Sequence, residues 1–173
     1  MTSHRATTIT DLAVSDHDLT VLAFYRGQWC SFCQAYLREL DGTFRERVVA
    51  AGGRLVGVTS QSVEAAQEAR ENWGLHYDVV SDPSTELAQS FQIDITPKAA
   101  TPLADHPTEY PNGMSQAGMV VLDRDGAVLY RWAVNPTAAN FFGASDRPLP
   151  DDVWAAIEAA RTQQFTRTEQ ELA

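Results

Sequence analysis

Polar residues fill most of the first 18 positions, and the sustained hydrophobic pattern begins at Leu19. Leu19-Thr20-Val21-Leu22-Ala23-Phe24-Tyr25 is a nearly unbroken apolar run of strand length, the pattern of a buried strand. A helical rhythm follows. Cys33, Leu37, Leu40, Phe44 and Val48 fall at i, i+4, i+7, i+11 and i+15, while Arg38, Glu39, Asp41 and Arg45 lie off that face. One long helix over about 30–51 is expected, stopped by Gly52-Gly53. Leu55-Val56-Gly57-Val58-Thr59 reads as a second buried strand. Ser62 is the expected N-cap of a helix that runs through Ala65, Ala66 and Ala69 to Trp73, with Gly74 ending it. Tyr77-Asp78-Val79-Val80 is a short strand, and Ser81-Asp82-Pro83-Ser84 turns into a helix from Thr85 to about Phe91. Strands alternating with helices predict parallel strands with right-handed crossovers.

The rhythm then changes. Residues 94–116 carry Pro97, Pro102, Pro107 and Pro111 with neither period, and a loop of that length is usually functional or mobile. Met119-Val120-Val121-Leu122 and Ala127 to Trp132 are two strands joined by Asp123-Arg124-Asp125-Gly126, a hairpin signal. Residues 134–150 are irregular again. Asp151-Asp152 open a last helix whose apolar positions are Val153, Trp154, Ile157 and Ala160. Trp132 and Trp154 are expected in the core. The layout is a polar arm over 1–18, mobile or loosely docked, one α/β domain over 19–161, and a polar tail over 162–173 that frays. The domain would hold a central mixed sheet of about five strands flanked by helices.

Composition narrows the class. A chain of 173 residues with 44% hydrophobic and 21% charged content is ordinary for one globular domain. A net charge of −10 argues against nucleic acid and anionic membrane as partners. Met1 to Asp11 has no apolar core, so no secretory signal is expected, and no apolar run approaches a membrane span. A reducing cytoplasmic location is the default expectation.

Both cysteines lie in Phe24-Tyr25-Arg26-Gly27-Gln28-Trp29-Cys30-Ser31-Phe32-Cys33, where a strand hands over to a helix. The unpaired N–H groups and positive dipole end of a helix N-terminus favour thiolate over thiol. Cys30 would stand at the helix start as the exposed thiol. Cys33 would lie one turn in as the shielded one, within disulfide reach. An inert core pair fits this strand-to-helix context poorly. A metal site wants about four ligands, whereas His4, His17, His76 and His106 are scattered and there is no second cysteine pair. No metal or other cofactor is expected. Arg26 is either a thiolate- and substrate-orienting group or a solvated loop residue. Trp29 offers a flat apolar face to substrate or packs against the long loop. Gln116 is a candidate docking amide, and Arg147, in an irregular segment, approaches the site or forms a structural ion pair.

These elements in this order describe a thioredoxin-like fold. The chain resembles the redoxins of the alkyl hydroperoxide reductase/thiol-specific antioxidant group, to which peroxiredoxins belong, across most of residues 19–160. Tyr25-Arg26-Gly27-Gln28-Trp29-Cys30-Ser31-Phe32-Cys33 looks like that group's Tyr-Arg-Gly-x-Trp-Cys-x-x-Cys subfamily. Gly57-Val58-Thr59-Ser60, Val79-Val80-Ser81-Asp82-Pro83 and Val121 to Gly126 resemble further redoxin segments. Against the peroxiredoxin pattern Pro-x-x-x-Thr-x-x-Cys, Cys33 matches the peroxidatic cysteine, Cys30 the threonine and Arg26 the proline. The position of the peroxiredoxin arginine, or of the thioredoxin cis-proline, is Ala117. The resemblance implies a thiol oxidoreductase that cycles Cys30 and Cys33 between dithiol and disulfide and reduces hydroperoxides or protein disulfides. It implies an external thiol reductant, and dimerisation is common in relatives. Helix position favours Cys30 as nucleophile, and the alignment favours Cys33. The rival reading is a redox-regulated binding protein with little turnover.

Overall fold

The computed structural model describes His4 and residues 11–98 and 109–171. Its strands along the chain are β1 (Leu19–Phe24), β2 (Gly53–Thr59), β3 (Asp78–Ser81), β4 (Ile95–Thr96), β5 (Met114–Ser115), β6 (Gly118–Asp123) and β7 (Val128–Ala133). Its α-helices are α1 (Ser31–Leu40), α2 (Thr43–Ala50), α3 (Val63–Trp73), α4 (Glu86–Ser90) and α5 (Pro150–Glu171). Five strands form a mixed sheet in the order β3-β2-β1-β6-β7. β1, β2 and β3 run parallel, and β6 is antiparallel to both β1 and β7. This is the thioredoxin-like α/β architecture with a five-stranded mixed sheet flanked by helices.

The central strand explains the sequence pattern around it. Every residue of β1 is buried, because apolar layers cover both faces of the sheet. Leu19, Val21 and Ala23 point into a cluster with Leu37, Val48, Ala66, Trp73, Val153 and Ile157, side chains of α1, α2, α3 and α5. Leu22 and Phe24 point the other way, into a cluster with Val58, Val80, Leu87, Phe91 and Val120. The hairpin forms as expected. Asp123 Oδ1 accepts from the N–H groups of Asp125 at 3.0 Å and Ala127 at 2.8 Å, and Gly126 supplies the positive φ of 80°. Ser62 caps α3 by accepting from Ala65 N at 3.2 Å, and Gly74 closes that helix in the left-handed region.

Four expectations are corrected. The single helix over 30–51 is two helices, α1 and α2. Gly42 leaves helical geometry at ψ −133°, and the Asp41 carboxylate before it accepts from His76 N at 3.0 Å and pairs with Arg45 at 2.9 Å. Leu37, Leu40, Phe44 and Val48 are all buried, so the apolar stripe survives the break. The 94–116 segment is not wholly irregular, since β4 and β5 pair in it as a short antiparallel ribbon, while Pro102 and Pro107 lie outside the described residues. The arm is docked over its last residues: Leu12 and Val14 are buried in the second cluster, and Arg54 donates to the Leu12 carbonyl. Two apolar residues are too short a run to signal this. Finally, the tail expected to fray from Thr162 continues α5 to Glu171, with the Thr162 and Thr166 hydroxyls donating to carbonyls four residues back.

Candidate active site

The chain leaves the C-terminal end of β1, in the middle of the sheet, and turns through Arg26-Gly27-Gln28-Trp29 into α1. Three contacts hold that turn. Tyr25 N donates to Val58 O at 2.9 Å, Gln28 N donates to Gln61 Oε1 at 2.8 Å, and Tyr110 donates its hydroxyl to Arg26 O at 2.9 Å. Trp29 Nε1 in turn donates to the Tyr110 hydroxyl at 2.7 Å. Burial pushes the Tyr110 phenol above its ordinary pKa, so it stays protonated and keeps donating. Gly27 fits because nothing larger does. A Cβ there would run into the Tyr110 hydroxyl and come within 2.8 Å of Trp29 Nε1 and 2.9 Å of Gln61 Oε1.

Cys30 is the N-cap of α1 and Cys33 lies in its first turn. Their sulfurs are joined as a disulfide, with the Cα atoms 5.2 Å apart. Cys33 N donates to Cys30 Sγ at 3.3 Å, so one of the otherwise unpaired N–H groups of the helix start is aimed at sulfur. The expectation of one exposed and one shielded sulfur is corrected for this disulfide form, because Cys30 is 3% and Cys33 1% exposed. As N-cap, Cys30 turns its sulfur back onto the helix rather than out to solvent.

The other candidate residues separate. Arg26 is buried rather than solvated, its guanidinium 5.1 Å from the Trp29 ring centroid, and burial lowers its pKa. Its Nε has no hydrogen-bond partner among the described residues. Trp29 fits both of its readings, since it bonds Tyr110 of the long loop and remains 37% exposed. The Gln116 amide is engaged away from the turn. Its Nε2 donates to Thr96 Oγ1 at 2.6 Å, and its Oε1 lies beside Gly143.

Several site residues lacked a local sequence signal. Tyr110 and Gln61 are brought in by distant segments. Arg147 Nη2 points at Cys33 Sγ from 3.9 Å, so of its two readings the approach to the site is the one observed. Trp132, expected in the core, is only partly buried and lies 5.9 Å from the Arg147 guanidinium. Phe32, between the cysteines, is 47% exposed and stacks on the exposed Phe141 with ring centroids 6.1 Å apart. A shallow cavity of about 250 Å³ opens between α1 and the 144–147 segment, lined by Phe32, Tyr36, Ala144, Asp146 and Arg147. A larger acid-lined cavity of about 500 Å³ is bordered by Gln28 of the turn with Gln61, Glu64, Glu68 and Glu109, and includes neither cysteine. Among the described residues no group of three or more His, Cys, Asp and Glu side chains could hold a metal ion, and no helix is long and apolar enough to cross a membrane.

A thioredoxin-like sheet with a paired Cys-x-x-Cys at the start of its first helix defines a thiol redox protein. The AhpC/TSA family profile matches residues 2–131, and the chain belongs to that family, the family of the peroxiredoxins. Among solved structures it is similar to peroxidoxin BcpB from Mycobacterium tuberculosis, at 16% identity and TM-score 0.62, covering 87% of this chain and 84% of that one. It is also similar to the bacterioferritin comigratory protein of Xanthomonas campestris, at 18% identity and TM-score 0.60, covering 84% and 81%. AhpC of Enterococcus faecalis is a third, at 13% identity and TM-score 0.63, covering 84% and 75%. At these identities the likeness concerns the fold. No curated protein matches the sequence.

Proposed function

We propose that the protein is a thiol peroxidase that cycles Cys30 and Cys33 between dithiol and disulfide as it reduces a hydroperoxide. The observation that carries this reading is the Cys30–Cys33 disulfide at the start of α1 with both sulfurs shielded. Two sulfurs one helical turn apart suit reduction of a small oxidant, in which the second cysteine condenses with the oxidised first and closes the disulfide. Family membership and the alkyl peroxide reduction activity named for the Xanthomonas campestris protein agree with it.

The cycle balances with the chain's own groups and a thiol. A cysteine thiolate attacks one peroxide oxygen, an S–O bond forms, the O–O bond breaks, and the alcohol leaves with a proton. The second cysteine attacks the sulfenic sulfur, and water departs as the disulfide closes. Two electrons have passed from sulfur to peroxide. Two equivalents of an external thiol restore the dithiol through a mixed disulfide and leave as their own disulfide. Arg26 and Trp29 are the chain's candidate groups for orienting the substrate.

A redox-regulated binding protein is the second reading, favoured by the stacking of Phe32 on Phe141. Closing or opening the pair would be felt at an exposed aromatic surface. Hydrogen peroxide consumption by the reduced protein, with and without a thiol reductant, separates the two. The peroxidase consumes many equivalents with reductant, and Cys30→Ser and Cys33→Ser each end the cycling. A wild-type protein that consumes about one equivalent and stops overturns the peroxidase reading. Insulin-disulfide reduction run in parallel reads out disulfide reductase activity.

A further inference from the structure

Arg147 reaches the cysteine pair from 114 residues away in sequence, and its surroundings hold it there. Its Nη1 donates to the carbonyls of Gly143 at 3.4 Å, Ser145 at 3.1 Å and Asp146 at 2.7 Å. That leaves Nη2 directed at Cys33 Sγ, 3.9 Å away. Trp132 of β7 flanks the guanidinium, and the next residue is tied to α1, because Tyr36 donates its hydroxyl to Pro148 O at 2.9 Å. The segment that delivers the arginine is bent sharply. Phe141, Phe142 and Asp146 all have positive φ, at 51°, 54° and 78°. Non-glycine residues in that region are costly and persist where surrounding contacts fix them. Burial lowers the Arg147 pKa to about 10, which leaves it charged at neutral pH. The other ionisable groups here are Arg26 from the turn, Tyr36 and Glu39 on α1, Tyr130 on β7, and Asp146 beside the arginine itself.

We propose that Arg147 is a catalytic residue that holds Cys33 as a thiolate in the reduced protein, making Cys33 the sulfur that attacks peroxide and Cys30 the one that resolves it. The inference rests on the peroxidase reading and adds to it an activating cation and the order of the two thiols. A guanidinium at this range favours the anion on Cys33 directly. After attack, its N–H groups are placed to donate to the oxygen carried on that sulfur. Cys30, whose Sγ accepts the Cys33 N–H, then closes the disulfide.

The test reads the thiol itself rather than turnover. In Cys30→Ser, Cys33 is the only thiol, and its pKa follows from thiolate absorbance and from the rate of iodoacetamide alkylation against pH. The expected value lies below the free-cysteine value of about 8.5. Arg147→Gln is expected to raise it by about one unit, a tenfold loss of thiolate at lower pH, and Arg147→Lys to restore part of the shift. In Cys33→Ser the same arginine variants should leave the Cys30 pKa within a few tenths of a unit. A Cys33 pKa that does not respond to Arg147→Gln, or a Cys30 pKa that moves as much, overturns the assignment. Arg147→Lys keeps the charge and bulk, so it remains informative if Arg147→Gln does not fold. Peroxide turnover of the wild type is scored separately. Loss of the peroxidase reading alone would show as a responsive Cys33 pKa without turnover. Loss of the Arg147 assignment alone would show as turnover with an unresponsive pKa.

Discussion

Tyr110 joins two parts of the site through one oxygen, which accepts from Trp29 Nε1 and donates to Arg26 O. Replacing it by phenylalanine keeps the ring in its buried place and strips both partners of that bond. An unpaired buried donor or acceptor costs about 1–3 kcal/mol. Tyr110→Phe should therefore lower unfolding stability by about that much in urea denaturation. It should also slow peroxide consumption, because the turn that carries Arg26 and Trp29 is no longer pinned. Stability within about 0.5 kcal/mol of wild type, the usual scatter of surface changes, would show that the hydroxyl is not holding the turn. Residues of this kind explain where sequence reading stopped. Cys30 and Cys33 were legible because a strand-to-helix junction is written in local pattern. Tyr110 and Arg147 each sit in an irregular segment, and only the closed fold shows what they touch. Ala117 offers no guanidinium where the resemblance implies one, while Arg147 brings one to Cys33 from a later segment.

At the scale of elements, α4 shows how burial and helix start trade against each other. Asp82 is buried, and its Oδ2 accepts from Ala88 N at 2.9 Å while its Oδ1 accepts from the Ser84 hydroxyl at 3.3 Å. Burial raises its pKa above the ordinary carboxyl value, and these hydrogen bonds offset only part of the rise. A raised folded-state pKa means that the folded chain binds the proton more tightly than the unfolded chain. The stabilisation is fully present below the ordinary carboxyl pKa and is lost as pH rises through the raised folded value. At neutral pH the ionised group thus costs stability. Asp82→Asn should raise the urea midpoint relative to wild type near about pH 7, and that advantage should shrink toward about pH 4. An advantage that is absent or independent of pH would contradict the sign. Most elements were legible from periodicity, caps and the Asp-Gly hairpin. The break at Gly42 was not, because the apolar stripe runs through it and Asp41 finds its partner, His76, 35 residues away. The β4–β5 ribbon was not legible either, since two-residue strands carry no period.

Across the whole molecule the two ends of the chain are built differently, and the difference predicts opposite responses to change. The N-terminal end contributes Leu12 and Val14 to the core layer beneath β1, with the Arg54 guanidinium on the Leu12 carbonyl. Truncating a fully buried leucine removes its transfer energy and leaves a cavity, together about 2–5 kcal/mol. Leu12→Ala should fall in that range. The C-terminal end contributes its core side chains early, as Val153 and Ile157. Beyond Arg161 the described side chains of α5 are exposed, and Gln164 Nε2 donates to Asp123 Oδ2 at 2.9 Å on the surface. An exposed hydrogen bond contributes about 1 kcal/mol at most. A chain ending at Arg161 should therefore unfold at a urea midpoint close to that of the full chain and consume peroxide at the same rate. The cysteine pair, Arg147 and the sheet all lie before the cut. The pairing of the two variants makes the argument exacting. If the truncation destabilised the protein as much as Leu12→Ala, the last turns of α5 would belong to the folded unit, and the boundary at residue 161 would have to move to the end of that helix.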